Sequence, residues 1–251
     1  MTKAINSISY ALPLMRRSVA KQALNVILRG TRTNAIFDLD GTLTDTLESL
    51  AYSVNATLRE LGLGQITDEQ CKAFVGNGAR HLIERSIEVA GDPELARIDE
   101  AMEVYGRIFK VNCTYHVKPY PGVEQMLQGL KERGIKLAVL SNKPHVQTQD
   151  VVKTFFDAKL FDWIQGQKEG VPRKPDPEAA IFIANKLGVS SEECVYIGDS
   201  DVDMQTGNAA GMKTIGVTWG FRSKEVLVEH GAHCTIDHAD ELIAIVGEGV
   251  K

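Results

Sequence analysis

The sequence predicts an α/β protein: a parallel sheet with helices on both faces, interrupted after its first strand by an all-helical insertion. Two observations predict it. From residue 34 onward, short apolar runs alternate with helical patterns, and each run ends at a polar or glycine-rich turn. Between about Leu50 and Lys118 the alternation breaks, and only helical patterns are found.

The chain opens on a segment unlike the rest. Residues 1–37 hold six basic residues and no acidic one, which leaves 22 basic against 33 acidic residues in the remainder. Leu12, Met15, Val19 and Val26 recur at roughly helical spacing, with Arg16, Arg17 and Lys21 between them. Residues 1–33 therefore read as an organelle-targeting segment, as an accessory helix, or as the product of a start assigned upstream of Met15.

The first strand is Ala35-Ile36-Phe37, ending in Asp38-Leu39-Asp40-Gly41-Thr42-Leu43. The insertion follows, with turns at Gly62–Gly64, Gly76-Asn77-Gly78 and Gly91-Asp92-Pro93. Asp68 is an expected N-cap, and Thr67–Gln70 has the pattern of a capping box. Pro119-Tyr120-Pro121-Gly122 returns the chain to the sheet. Further strands are expected at Lys136–Leu140, Cys194–Ile197 and Thr214–Val217. The predicted division is thus an extension over 1–33, a core over 34–49 and 119–251, and a cap over 50–118.

Composition narrows the function. At 43% hydrophobic and 24% charged residues, the chain reads as soluble and globular. No apolar run approaches the roughly 20 residues that span a bilayer, and the acidic body argues against a nucleic-acid partner. Cys71, Cys113, Cys194 and Cys234 are widely spaced, as expected of reduced thiols in the cytoplasm rather than a disulfide or zinc framework. A monomer and a homodimer are equally compatible with the sequence.

In parallel sheets, ligands gather at the carboxyl ends of the strands. There the chain places Asp38 and Asp40, one residue apart and so on the same side. One carboxylate can attack phosphorus and a second can move the leaving-group proton. Gly41 would let backbone amides approach a phosphate. A calcium loop would need a glutamate at the twelfth position from Asp38, where Ser49 stands. Ser141-Asn142-Lys143-Pro144 offers a hydroxyl and amides for a phosphoryl oxygen, or else a helix-capping turn. Val171–Pro177 carries Lys174, which could neutralise a carboxylate and a phosphoryl group, or else is a solvated basic loop. In Gly198-Asp199-Ser200-Asp201-Val202-Asp203, capping accounts for the first acids but leaves Asp203 unexplained. Carboxylates at Asp199 and Asp203 suit magnesium.

Together, in order and spacing, these four segments resemble the haloacid dehalogenase-like superfamily, over about residues 34–240. The resemblance implies a Rossmann-like core with a small helical cap, Asp38 as nucleophile and Asp40 as general acid/base. It implies Lys174 as the charge-neutralising lysine, and Gly41, Thr42, Ser141 and Asn142 around the phosphate. It also implies Mg2+ held by Asp38, the backbone carbonyl of Asp40, and Asp199, with Asp203 in support. Asp201 is then a helix-start acid. Asp40 stands where the superfamily's dehalogenases have no Asp and its transport ATPases have Thr, so the resemblance points to phosphatases or phosphomutases.

Within the subclass the chain is most like the phosphoglycolate phosphatases, through Phe74–Ala79, Tyr120–Val123, Ser141–Pro144 and Gly216–Phe221. The implied partner is a small phosphorylated metabolite. Pyrophosphate, nucleotides and sugar phosphates are alternative substrates. A β-phosphoglucomutase-type isomerase and a non-catalytic binding protein are the alternative activities; a phosphonoacetaldehyde hydrolase would need a cap lysine, and neither Lys72 nor Lys110 stands in a matching context. Asn77 and Arg80 in the cap are candidate substrate contacts; Arg80 and His81 are equally readable as solvent-facing helix residues.

Overall fold

A computed structural model describes residues 33–246 of the chain; the basic extension expected over 1–33 falls outside them except for Thr33. The core is a six-stranded, wholly parallel sheet. Its strands are β1 (Asn34–Phe37), β4 (Leu137–Pro144), β5 (Trp163–Gln167), β6 (Cys194–Gly198), β7 (Lys213–Val217) and β8 (Cys234–Ile236), in the order β5-β4-β1-β6-β7-β8.

Alternation along the strands sends side chains to two cores. Phe37, Val139, Ile197 and Val217 face one side, against Met126, Leu127 and Leu130 of helix α5 (Val123–Glu132) and Leu242 and Ile245 of α10 (Asp240–Val246). Ile36, Ala138, Leu140 and Tyr196 face the other, against Ala180, Ile183 and Leu187 of α7 (Glu178–Leu187). The doubly covered parallel sheet is the predicted architecture.

The insertion forms a cap with a hydrophobic core of its own. Helices α1 (Leu47–Glu60), α2 (Asp68–Phe74), α3 (Ala79–Ala90) and α4 (Ile98–Asn112) bury Val54, Leu58, Cys71, Ile83, Ile87 and Tyr105 together. Its two connections to the core pair as a short antiparallel ribbon, β2 (Thr44–Asp45) with β3 (Lys118–Pro119). This ribbon ties both ends of the cap to the loop after β1.

Several local expectations need correction. The two edge strands β5 and β8 have no counterpart among the predicted runs. Polar Gln165 and Gln167 interrupt the apolar pattern of β5, and β8 has only three residues. β4 continues through Ser141 to Pro144 instead of ending at Leu140. Ser141 is therefore strand, and α6 (His145–Phe155) has Pro144 at its N-cap. Thr67, not Asp68, is the N-cap of α2. It closes a complete capping box with Gln70, because its hydroxyl meets the Gln70 amide while the Gln70 side chain returns to the Thr67 amide.

Candidate active site

β1 lies at the centre of the sheet, between β4 and β6, so its carboxyl end is flanked by both neighbours' exits. Asp38 follows it directly, its amide donating to the Ile197 carbonyl at 2.9 Å. Ser141 lies on the β4 side and Asp199 on the β6 side. The helix α8 (Asp201–Ala209) then begins with Ser200 as N-cap, so Asp201 is a helix-start acid as expected.

Asp38, Asp199 and Asp203 are all buried and offer carboxylate oxygens within 4.8 Å of one another. Lys174 is the cation among them, its Nζ 2.9 Å from Asp38 Oδ1 and 2.7 Å from Asp203 Oδ1. Burial opposes the charge on Lys174, but Asp203 and Asp38 outweigh it and hold the ammonium protonated well above its usual range. For Asp38 the balance is opposite. Burial and the charge of Asp203 push its carboxyl well up, against the pull of Lys174. Burial and Asp203 also push Asp199 up, to about 7.

Three carboxylates around one lysine leave an excess of buried negative charge. Asp38 Oδ1 has no hydrogen-bond donor aligned with it, although Lys174 faces it across the ion pair. All the donors are hard oxygens. This arrangement fits a divalent cation of the magnesium kind.

Each acid is held differently. Asp199 accepts from Thr42 Oγ1 at 3.0 Å through Oδ1 and from the Phe221 amide at 2.7 Å through Oδ2. Asp203 Oδ2 accepts from the Ser200 amide at 3.0 Å and hydroxyl at 2.6 Å, while Oδ1 faces Lys174. Capping therefore does account for Asp203, contrary to the expectation from sequence. Its Oδ1 is taken up by the Lys174 ammonium, so within the cluster Asp203 braces that lysine. Asp40 turns away from the cluster and pairs with Lys143 Nζ at 2.9 Å.

The four residues expected around the phosphate separate. Ser141 lines the cavity above the acids. Asn142 lines it too, but its side chain is engaged elsewhere: Oδ1 accepts from the Lys174 amide, and Nδ2 donates to the carbonyls of Lys174 and of cap residue Gly76. Asn142 thus braces the Lys174 loop. Gly41 and Thr42 do not line the cavity. Their amides donate to the carbonyls of Thr44 and Leu39, closing the turn after β1. The glycine is required for another reason. Gly41 has φ +87°, and a Cβ there would lie 2.3 Å from Asp199 Oδ2. Gly220 approaches Asp199 just as closely, with a virtual Cβ 2.3 Å from the Asp199 Cβ and 2.4 Å from the Gly41 carbonyl.

The cap contributes a different kind of surface. The cavity, about 50 Å³, is roofed by Leu50, Val75, Leu82, Tyr105 and Phe109. Neither cap candidate from the sequence reaches it. Asn77 is exposed, and its carbonyl accepts from Arg173 at 3.4 Å. Arg80 pairs on the outer face with Glu84 at 2.9 Å and Asp99 at 3.5 Å. Two basic residues that the sequence reading gave no role do line the cavity, Lys143 and Arg222. Lys143 lies where β4 loses its regular register between Leu140 and Pro144, and consecutive residues 141–144 all line the cavity, so period-two alternation does not identify it. Arg222 donates to the carbonyls of Lys72, Ala73 and Val75 at the end of α2, fastening cap to core. Nothing in its sequence context signals that contact.

Residues 35–217 match the haloacid dehalogenase-like hydrolase family. The chain is 32% identical over 213 residues to a phosphoglycolate phosphatase of Pseudomonas savastanoi pv. phaseolicola, covering 83% of this chain and 77% of that one. It is 32% identical over 218 residues to one from Haemophilus influenzae, covering 84% and 96%. Among solved structures it is similar to a predicted phosphoglycolate phosphatase from Haemophilus somnus, at TM-score 0.79 and 27% identity, covering 85% of this chain and 97% of that one.

Proposed function

The chain belongs to the haloacid dehalogenase-like hydrolase family, and from that premise we propose that it hydrolyses a small phosphomonoester, phosphoglycolate, through an aspartyl-phosphate on Asp38. The observation that carries this reading is the pairing of two differently placed carboxylates at one strand end. Asp38 lies buried beside Lys174, while Asp40 faces the cavity with its own lysine. A binding module has no need of both.

In the proposed reaction, an Asp38 oxygen attacks phosphorus while Asp40 gives a proton to the departing ester oxygen. Asp40 then takes a proton from water, which attacks the acyl phosphate and frees Asp38. Lys174 and the Ser141 hydroxyl hold the phosphoryl oxygens and offset their charge. Asp38, Asp199 and the Asp40 backbone carbonyl would hold magnesium, with Asp203 fixing Lys174 behind them. When bound, the cation supplies the positive charge that lets an anionic nucleophile meet an anionic ester. The apolar cap excludes water from the site.

Three further observations support the substrate. The cavity is small, its roof offers little to a sugar's hydroxyls, and the relatives named above are phosphoglycolate phosphatases. The test is phosphate release from phosphoglycolate, sugar phosphates, nucleotides and pyrophosphate, with mass spectrometry of quenched enzyme. Preferred release from phosphoglycolate with a phosphoryl adduct on Asp38 is expected. Turnover confined to another ester would overturn the substrate, and an adduct elsewhere the mechanism.

A further inference from the structure

With Arg80 paired on the outer face, the acidic end of the proposed substrate lacks a cap-borne cation. The cavity holds three basic side chains, and their existing contacts sort them. Lys174 is enclosed by Asp38 and Asp203 at the phosphoryl end. Arg222 is engaged by three backbone carbonyls of the cap. Lys143 is the third. Its side chain is 2% exposed, and among the described residues its ammonium has one hydrogen-bond acceptor, Asp40 Oδ1 at 2.9 Å. An ammonium has three N–H donors. Behind it lies the face of Phe109, 4.8 Å from Nζ to the ring centroid, a contact that favours a cation but accepts no conventional hydrogen bond.

We propose that Lys143 is the substrate-binding residue that receives a carboxylate carried on the leaving group. The proposal rests on the phosphatase reading above and names the group that selects its substrate. Geometry provides the argument. If Asp40 protonates the leaving oxygen, that oxygen lies beside the Asp40 carboxylate. Lys143 Nζ is on an oxygen of the same carboxylate. A carboxylate attached one carbon beyond the leaving oxygen therefore falls within reach of the free ammonium donors. Burial strengthens the contact, because the ammonium lies on the Phe109 ring in a cavity that Leu82 and Tyr105 also line. An ester with an uncharged alkyl group would leave those donors unanswered. A sugar would meet an apolar roof. Specificity for a 2-phosphoryloxy carboxylate would thus arise from the core, with the cap serving to dry the contact.

The experiment compares phosphoglycolate with ethyl phosphate, which is similar in size but lacks the carboxylate, at saturating magnesium. Wild-type protein is expected to prefer phosphoglycolate strongly in kcat/KM. Lys143→Met should lower activity on both esters, because Asp40 loses its partner, and should reduce the preference by about tenfold or more, the effect of one charge-assisted hydrogen bond. Lys143→Arg should keep more of the preference than Lys143→Met. Lys143→Gln, which can still hydrogen-bond Asp40, provides the same comparison if the methionine variant is unstable. Glycolate should inhibit wild type more strongly than ethanol does, and lose that advantage in Lys143→Gln. An unchanged preference in the neutral variants would overturn the assignment while leaving the phosphoglycolate reading intact. A wild-type preference near one would overturn both, and no phosphate from either ester would overturn the phosphatase reading itself.

Discussion

The floor and the roof of the cavity are built on opposite plans. The floor, at the strand ends of the core, is made of charges that hold one another: Asp38 and Asp203 on Lys174, Asp40 on Lys143, and Asp199 between Thr42 and the Phe221 amide. The roof meets the cavity with apolar side chains and turns its charges outward, as in the Arg80–Glu84 and Arg97–Glu100 pairs. Buried polar groups need partners, so each acid of the floor is held by at least one group of the protein. The roof needs only shape and dryness, so many sequences could serve. The expected consequence is that changes in the floor act on chemistry or, at Lys143, on substrate preference, and changes in the roof act on every substrate alike or on none.

The largest effect should follow Asp38→Asn. The amide is nearly isosteric but a poor nucleophile, and loss of an essential group usually lowers kcat by several orders of magnitude. Retention of more than about a hundredth of wild-type turnover would argue against the covalent route. Stability should respond in the opposite sense. Asp38 has its carboxyl pushed up by burial and by Asp203, so its ionised form destabilises the metal-free fold. Thermal unfolding without metal should therefore show a Tm equal to or above that of wild type. A fall of several degrees would mean the pair with Lys174 outweighs burial.

Metal removal comes next. Chelation should abolish phosphate release and magnesium should restore it, since three buried carboxylates share one lysine. Calcium should inhibit, because its larger and looser shell misplaces the nucleophile. Asp199→Ala should raise the magnesium concentration needed for half-activity or eliminate turnover. Full activity in a preparation shown to be metal-free by elemental analysis would refute the site.

Lys174→Met tests whether the floor is held by mutual charge. It leaves Asp38 and Asp203 buried without their cation, and breaking a buried pair on one side costs about 3–5 kcal/mol. Urea denaturation without metal should show a loss of that order, partly recovered by magnesium, with little turnover in either case. An unchanged midpoint would mean that the acids take up protons instead.

The same contrast explains what the sequence made legible. The parallel sheet, Asp38, Asp40 and Asp199 could be read because they follow predicted strand ends, whereas Ser141 and Lys174, each open to a bland reading alone, gained their roles through the family resemblance. Gly41 could be seen to matter, but its reason could not. The pinch on Asp199 joins residues 41, 199 and 220, which only the fold brings together. Asn142 has the composition of a phosphate ligand, yet long-range contacts to Gly76 and Lys174 occupy its side chain. The cap was the least legible region. A polar residue after a glycine turn resembles a substrate contact, but helix phase directs Arg80 outward and leaves Leu82 facing the cavity.

A smaller effect is expected where floor and roof are fastened. Arg222→Ala removes three donors from the carbonyls at the end of α2, including two at 2.6 Å. One of these contacts is exposed and the other two are only partly buried, so water can replace Arg222 and the fold should survive while cap closure weakens. The kcat/KM should fall by roughly three- to tenfold, about one to two hydrogen bonds' worth, and equally on phosphoglycolate and ethyl phosphate. A loss confined to phosphoglycolate would assign Arg222 to the substrate instead of Lys143.

The smallest effect should be that of Arg80→Ala, and its smallness separates the two plans most directly. Arg80 is a cation on the helix that opens after the Gly76–Gly78 turn, the position from which a cap residue would be expected to reach an anionic ester. Its side chain is 49% exposed, and its partners Glu84 and Asp99 are 32% and 92% exposed. Pairs in water of this kind contribute less than about 1 kcal/mol, and here the arginine precedes the glutamate by four, the weaker helical orientation. Truncation should therefore shift Tm by no more than about four degrees. The kcat/KM should stay within about twofold of wild type on both phosphoglycolate and ethyl phosphate, since no charge-assisted contact is lost. If instead phosphoglycolate alone suffered, the cap would have to rotate in the working enzyme so that Arg80 entered the cavity. The roof would then take part in recognition, and the division of labour between floor and roof would fail at that residue.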